Sequence, residues 1–296
     1  MSANQARLAR RRYLWLRVLA GIAVGAAVIV ALILAWLKWH ETELVFATAL
    51  SRSRPQYPLP ASVERITLRS ADGSPIAGLV FHPDASEDSG YWVLHLHGNA
   101  DTAFSQSQVR HCELLALAHF TVLSLDYRGF GASPGVATEA SIDEDAESAY
   151  RELRGRGIAA ERIVIWGHSL GSGPATQLAA RHEAAALVLF GAFTSIPDAA
   201  ADTYPYLPVR WLVGIHFDSL KLLPSIHTPV VIAHSVGDTL IPFHHGQRLY
   251  AAAREPKHLL ALKAVAADGF GGHIDALYDH LDQLIPMLGI HPAAHN

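Results

Sequence analysis

A chain of 296 residues, half of them hydrophobic, can bury a sizeable core as one large domain or two ordinary ones, which argues against a disordered polypeptide. Its formal net charge of -4 hides a segregation: Arg7, Arg10, Arg11, Arg12 and Arg17 crowd an acid-free first seventeen residues, while beyond Trp39 17 lysines and arginines stand against 27 acids. That acidic balance argues against nucleic-acid binding, and the single cysteine, Cys112, excludes an intrachain disulfide and a Cys-based zinc site.

Residues 18–37, VLAGIAVGAAVIVALILAWL, contain no charged side chain. At about 1.5 Å per residue a helix of this length spans the roughly 30 Å hydrocarbon layer of a membrane. Residues 18–39 are therefore expected to be a transmembrane anchor, with Trp15, Trp36 and Trp39 near its interfaces. The arginines make residues 1–17 a basic cytoplasmic tail and send the rest of the chain to the outer, periplasmic or extracytoplasmic, side. A cleaved signal peptide is the alternative, since Ala47-Thr48-Ala49 forms an A-x-A, but the apolar run is longer than the usual h-region and ends well before that site. RRRYL at 10–14 also resembles a twin-arginine signal, though positive-inside arginines account for it.

Residues 40–60, with Pro55, Pro58 and Pro60, read as a semi-extended linker, so the domain is expected over 61–290, followed by a tail at 291–296. VERITLR (63–69) and IAGLVF (76–81) flank ADGSP as a hairpin. Buried strands then alternate with helical stretches: strands at 91–97, 120–126, 162–167, 185–190, 229–234 and 258–264, and helices near 105–118, 138–154, 172–182, 243–253 and 273–288. Such alternation predicts an α/β fold, a mostly parallel central sheet with helices on both faces. Residues 194–223, rich in proline and aromatics, interrupt it as a small cap region or a long surface connection.

Two stretches fit G-x-S-x-G: GHSLG at 167–171 and GASPG at 131–135. A nucleophile must follow a buried strand and precede a helix, as Ser169 does. The residue after it supplies a backbone N–H to the oxyanion; Leu170 has one, whereas Pro134, after Ser133, has none. A second N–H is expected from HGNAD at 97–101, with Asn99 first and Ala100 as the fallback. His97 is better placed to brace that loop than to act as a base. His95 on the same strand reads as a hydrogen-bonded histidine rather than a metal ligand, for no acid or cysteine accompanies it.

Chain order then asks for an acid and a histidine on loops after late strands: VGDTLIP places Asp238, and FGGHIDAL places His273. Asp198, His280 and the pair His244-His245 are weaker competitors, while Asp268 and Asp275 lie near His273 without a spacing that fixes their role. Each chosen residue also has a plain structural reading: Ser169 in a tight turn, Asp238 as a turn aspartate, His273 at a helix start.

HGN at 97–99, DYRGFGASPG at 126–135, GHSLGSGPA at 167–175, GDTLIP at 237–242 and GGH at 271–273 together resemble the α/β-hydrolase superfamily over about residues 61–290. The chain looks most like its short-capped branch of single-pass, membrane-tethered abhydrolase-domain proteins, some of whose relatives are lipid hydrolases or protein depalmitoylases. The resemblance implies an α/β-hydrolase fold with Ser169 as nucleophile, Asp238 as acid, His273 as base and Asn99 and Leu170 as oxyanion amides. Asp126 and Arg128 would brace their loop. The expected activity is hydrolysis of small or lipid-derived carboxylic esters through an acyl-enzyme, without metal or organic cofactor. A thioesterase or protein deacylase, a peptidase, and a membrane-bound scaffold without turnover are the alternatives. Substrate identity and oligomeric state are open.

Overall fold

The computed structural model describes residues 3–263, 273, 276 and 278–290. The chain divides into two compact units, Met1–Leu44 and Val45–Asn296. The first is dominated by helix α1 (Ala3–Trp39), whose stretch Arg10–Trp39 has a mean hydropathy of 2.9 and is long and apolar enough to cross a membrane. The helix runs through the arginine-rich segment as well as the apolar one, because arginine and alanine are both good helix formers.

The second unit begins earlier than the proline pattern suggests. Helices α2 (Glu41–Val45) and α3 (Thr48–Ser53) occupy part of the expected linker, and Phe46 and Ser51 between and within them are buried. Residues 54–60 have no regular secondary structure, as three prolines in seven residues require. The domain is therefore packed from Val45 rather than from Ala61, since one buried aromatic ring outweighs the polar composition around it.

Eight strands form one sheet in the order β1-β2-β4-β3-β5-β6-β7-β8. The hairpin of β1 (Glu64–Arg69) and β2 (Pro75–Phe81) is antiparallel, and β2 meets β4 antiparallel; every later pairing is parallel. The central strands are β3 (Trp92–Leu96), β4 (Thr121–Leu125), β5 (Ile163–His168) and β6 (Ala186–Phe190), followed by β7 (Val230–Ser235) and β8 (Lys257–Leu262). Being covered on both sides, they are continuously apolar, and alternate residues enter two different cores. Leu94, Leu123, Ile165, Leu187 and Ile232 point to one face; Val93, Val122, Val164, Val188 and Val231 point to the other.

Helix α4 (Gln106–Leu117) covers the second face with Val109, Cys112 and Leu115. Helix α5 (Glu139–Gly155) covers the first with Ile142, Ala146, Ala149 and Leu153, a stripe at helical spacing, and starts at a Thr138–Ser141 capping box. Helix α6 (Ser172–Ala179) follows β5 and adds Ala175 and Leu178 to that face. Each such fully buried aliphatic side chain contributes about 1.5–3 kcal/mol.

Between β6 and β7 lie three short helices, α7 (Ile196–Thr203), α8 (Val209–Leu212) and α9 (Ser219–Leu222), in the segment expected as a cap. It is tied to α5, where the Glu139 carboxylate accepts from the N–H groups of His216 (2.7 Å) and Phe217 (2.8 Å). Helix α10 (His244–Ala252) precedes β8. The helix expected over 273–288 is broken: described residues there form a 3-10 turn at Tyr278–His280, α11 (Leu281–Leu284) and a second 3-10 turn at Ile285–Leu288, with Pro286 opening the last. Residues 291–296, the expected tail, lie outside the described residues.

Register brings the carboxyl ends of the central strands to one edge: Leu96 is opposite Gly167, His168 opposite Phe190, and Phe190 opposite Ala233. The start of α6 is pressed against that edge. A Cβ on Gly171 would lie 2.1 Å from the Leu96 carbonyl oxygen and 2.8 Å from that of His97. Gly171→Ala is expected to displace backbone and lower stability by about 3 kcal/mol, read as a fall in melting temperature by circular dichroism.

Candidate active site

Strand β5 ends in Gly167-His168, and the chain turns so sharply that Ser169 takes a φ of +50°. An L-residue there is strained, by about 1–3 kcal/mol. The turn closes because Gly167 and Gly171 lack side chains: a Cβ on Gly167 would be 2.5 Å from the Gly171 carbonyl oxygen. Ser172 Oγ donates to the Ser169 carbonyl (2.6 Å) and secures the first turn of α6. Ser169 is thereby lifted to the sheet edge.

His273, the expected base, meets it there, with Nε2 2.9 Å from Ser169 Oγ and Nδ1 2.7 Å from Asp238 Oδ2. The carboxylate can only accept, so Nδ1 carries the proton and the Nε2 lone pair faces the serine hydroxyl. Beneath the ring lies Gly191, just past β6, where a Cβ would come within 3.1 Å of the imidazole. The three residues drawn together by motif and chain order thus form one hydrogen-bonded chain.

Asp238 sits in the turn after β7. Its Oδ1 accepts from the N–H groups of Leu240 (2.9 Å) and Ile241 (2.8 Å), leaving Oδ2 for His273. Burial pushes this carboxyl up, but hydrogen bonds from His234 and His273, the charge of His273 and the Ile241 N–H outweigh it and hold it below the usual carboxylate range. His234, on β7, lies 3.3 Å from Oδ2 while donating from Nε2 to the Ile241 carbonyl (2.7 Å). It was not singled out by the sequence, where it is one apolar strand's last-but-one residue.

His168, the variable residue of GHSLG, is also a working part of the scaffold. Its Nε2–H donates to the backbone carbonyl of His273 (3.0 Å), and its ring stacks on Phe190. Burial, with the charge of His273 adding to it, lowers its pKa to about 3, so this imidazole is neutral. The only sequence signal for this role is its adjacency to Ser169.

Of the two expected oxyanion residues, one follows Ser169 and the other follows the glycine that faces it. Leu170 follows it, buried, and Gly98 faces it so closely that a Cβ on the glycine would lie 3.3 Å from Ser169 Cβ. Asn99 is next to Gly98, with its side chain bonded to Val45 and Ala47, so any contact with a reacting carbonyl falls to its backbone N–H. His97 donates from Nδ1 to the Gly98 carbonyl (2.7 Å) and braces the loop. His95 is paired with Tyr278 Oη (3.1 Å).

The competing residues are engaged elsewhere. Ser133 Oγ donates to the Asp126 carbonyl and accepts from the Ala77 N–H. Asp198 is held by Thr194, Arg210 and Arg248, and His280 meets Gln283. Asp126 accepts from Thr102, Ala103 and Ala132, and Arg128 is paired with Asp72, Glu144 and Asp145, so both brace their loop. Asp268 and Asp275 lie outside the described residues, as do Gly271 and Gly272.

Among the described residues, Asp202, His244 and His245 bring three possible metal-donor atoms within 4.8 Å of one another. His245 Nδ1, however, accepts the Thr194 N–H (3.1 Å), so Nε2 bears the proton that it donates to Asp202 (2.8 Å). That tautomer suits a hydrogen-bonded link between α7 and α10 rather than a metal ligand.

Comparison with known proteins places this geometry in context. Residues 91–214 match the model of the alpha/beta hydrolase fold. Human alpha/beta hydrolase domain-containing protein 17B is 30% identical over 226 residues, covering 75% of this chain and 76% of the relative. Lysophosphatidylserine lipase ABHD12 of Danio rerio is 35% identical over 185 residues, 56% of this chain, which spans only 48% of that relative's length. Among solved structures, the Pyrococcus furiosus esterase Pf2001 matches with a TM-score of 0.64 at 17% identity, covering 80% of this chain and 98% of that one, which speaks to the fold alone.

Buried neutral imidazoles give stability a pH dependence. The unfolded chain protonates His168 near its ordinary 6.5, the folded chain not until about 3, so its contribution is complete above about 6.5 and is lost as pH falls through that window. Each such group adds a slope of up to about 1.4 kcal/mol per pH unit. A series of thermal melts from neutral to acid pH is expected to show the decline, with a shallower slope in His168→Gln.

Proposed function

The chain belongs to the α/β-hydrolase family, and from that premise we propose that it is a serine hydrolase cleaving carboxylic esters of small or lipid-derived acyl groups. What carries the reading is the unbroken hydrogen-bonded chain from Ser169 Oγ through the His273 ring to the Asp238 carboxylate.

In the proposed cycle, Ser169 Oγ attacks the acyl carbonyl while His273 Nε2 takes its proton. Asp238 keeps the ring oriented and stabilises the imidazolium. The N–H groups of Asn99 and Leu170 receive the developing oxyanion, the term that contributes most in such sites. His273 then protonates the departing alkoxide, leaving an acyl-serine. Water enters, gives a proton to His273, adds to the acyl carbonyl, and the carboxylic acid leaves as Ser169 regains its proton. These steps use side chains and backbone only.

Lipid-derived esters are favoured because an apolar helix long enough to cross a membrane precedes the domain, which raises the local concentration of membrane-borne substrate. The similarity to ABHD12, a lysophosphatidylserine lipase, supports the same class. The arginines at the start of α1 favour a cytoplasmic N-terminus and a catalytic domain on the outer side.

Ser169→Ala is expected to lower kcat on p-nitrophenyl esters by on the order of 10⁴-fold or more and to abolish labelling by a fluorophosphonate probe. A labelled Ser169→Ala protein would overturn the assignment. Across p-nitrophenyl esters of increasing acyl length, kcat/KM is expected to hold or rise into the medium chains; a steep fall beyond acetate would exclude lipid-derived substrates.

A further inference from the structure

The segment between the apolar helix and the first strand lies along the loop that carries Asn99. One side-chain amide joins the two at both ends: Asn99 Nδ2 donates to the Val45 carbonyl (2.7 Å), and Oδ1 accepts from the N–H groups of Ala47 (2.9 Å) and Ala100 (3.1 Å). Farther along, Ser51 Oγ donates to the Asp101 carbonyl and accepts from the Gly131 N–H (2.9 Å), and Arg54 Nε donates to the Ala100 carbonyl (2.7 Å). Phe46, 1% exposed, stands edge-on to Phe130 and Phe217, each 6.5 Å away between ring centres. Those two rings continue the packing: Phe130 lies 5.7 Å from the His97 ring, and Phe217 packs against Gly173 in the helix after Ser169.

This bonding has a physical purpose in the backbone. Ala100 has a φ of +57°, a left-handed conformation that an alanine adopts only when its surroundings impose it. Both its N–H, through Asn99, and its carbonyl, through Arg54, are held from the segment or by a side chain anchored to it. Holding Ala100 fixes the Asn99–Ala100 peptide, the next along the chain from the peptide that carries the Asn99 N–H, and an oxyanion donor is effective only when aimed to within a fraction of an ångström.

We propose that residues 45–54 form a strap that aims the oxyanion loop, with the side chains of Asn99, Ser51 and Phe46 as positioning residues; the inference rests on the hydrolase reading above. A cut after Ala49, at the A-x-A motif, would remove Phe46 and the two Asn99 partners in the segment, Val45 and Ala47.

The test uses the full chain in detergent micelles, with p-nitrophenyl butyrate as substrate and thermal melts to report folding. Asn99→Ala and Ser51→Ala are expected to lower kcat about tenfold or more, less than deletion of an oxyanion donor, with KM within about twofold. The acid limb of the pH profile stays in place, because His273 is untouched. An alkyl boronic acid, whose adduct carries a tetrahedral oxyanion, is expected to lose affinity in parallel with kcat, and Ser51→Thr, which restores the hydroxyl, is expected to recover it. Lower melting temperatures with unaltered kcat and boronate affinity would make the strap merely structural and overturn the proposal. Should Asn99→Ala not fold, Ser51→Ala, which removes one hydroxyl, decides alone. A wild-type protein that neither turns over nor labels at Ser169 would instead bring down the hydrolase reading and the strap with it, whereas an active wild type with an unaffected Ser51→Ala sinks the strap alone.

Discussion

The left-handed backbone of Ser169 is the constraint on which the arrangement depends. It arises where a parallel strand must pass directly into a helix that doubles back over the sheet, and it is possible only because the residues two before and two after are glycines pressed against backbone. The strain is small beside the burial of the surrounding strands: β3, β5, β6 and β7 are enclosed on both faces, and each aliphatic side chain there contributes as much as the turn costs. A sheet of this kind can therefore carry a reactive residue at its edge without losing its fold.

Around that turn, polar groups are arranged so that each imidazole has one task. His273 lies between a hydroxyl and a carboxylate, the arrangement that lets a proton move one way and return. His234 supports the Asp238 turn through the Ile241 carbonyl, and His168 supports the His273 backbone. Burial keeps His168 neutral, so it can serve as a hydrogen-bond donor without placing a positive charge beside the His273 ring. The same economy appears in the loop of Asn99, whose side-chain amide serves the backbone of Val45 and Ala47 at once.

The strands were readable because burial on both faces makes them unbroken apolar runs, and their mostly parallel pairing followed from the alternation with helices. Ser169 was distinguished from Ser133 by its place between a buried strand and a helix and by the missing N–H of Pro134, and the structure shows Ser133 holding a loop instead. Less was legible where local composition and distant contacts disagree. Residues 45–53 look like linker because most of them are small or polar, but Phe46 finds Phe130 and Phe217, 84 and 171 positions away along the chain. The helix expected to follow His273 was over-extended, for apolar spacing does not register the turn that Pro286 imposes.

By itself the sequence determined the apolar helix and the layered α/β architecture, and it singled out Ser169, Asp238 and His273 as candidates, because hydrophobic period, glycine spacing and the presence or absence of an N–H are local properties. Tertiary structure decided which histidines among 18 support the site, that the segment after the helix grips the Asn99 loop, and that Asp238 and His273 meet at one strand edge. Those are matters of distance and burial between residues remote in the chain, and they exist only once strand register and helix packing have brought the groups together.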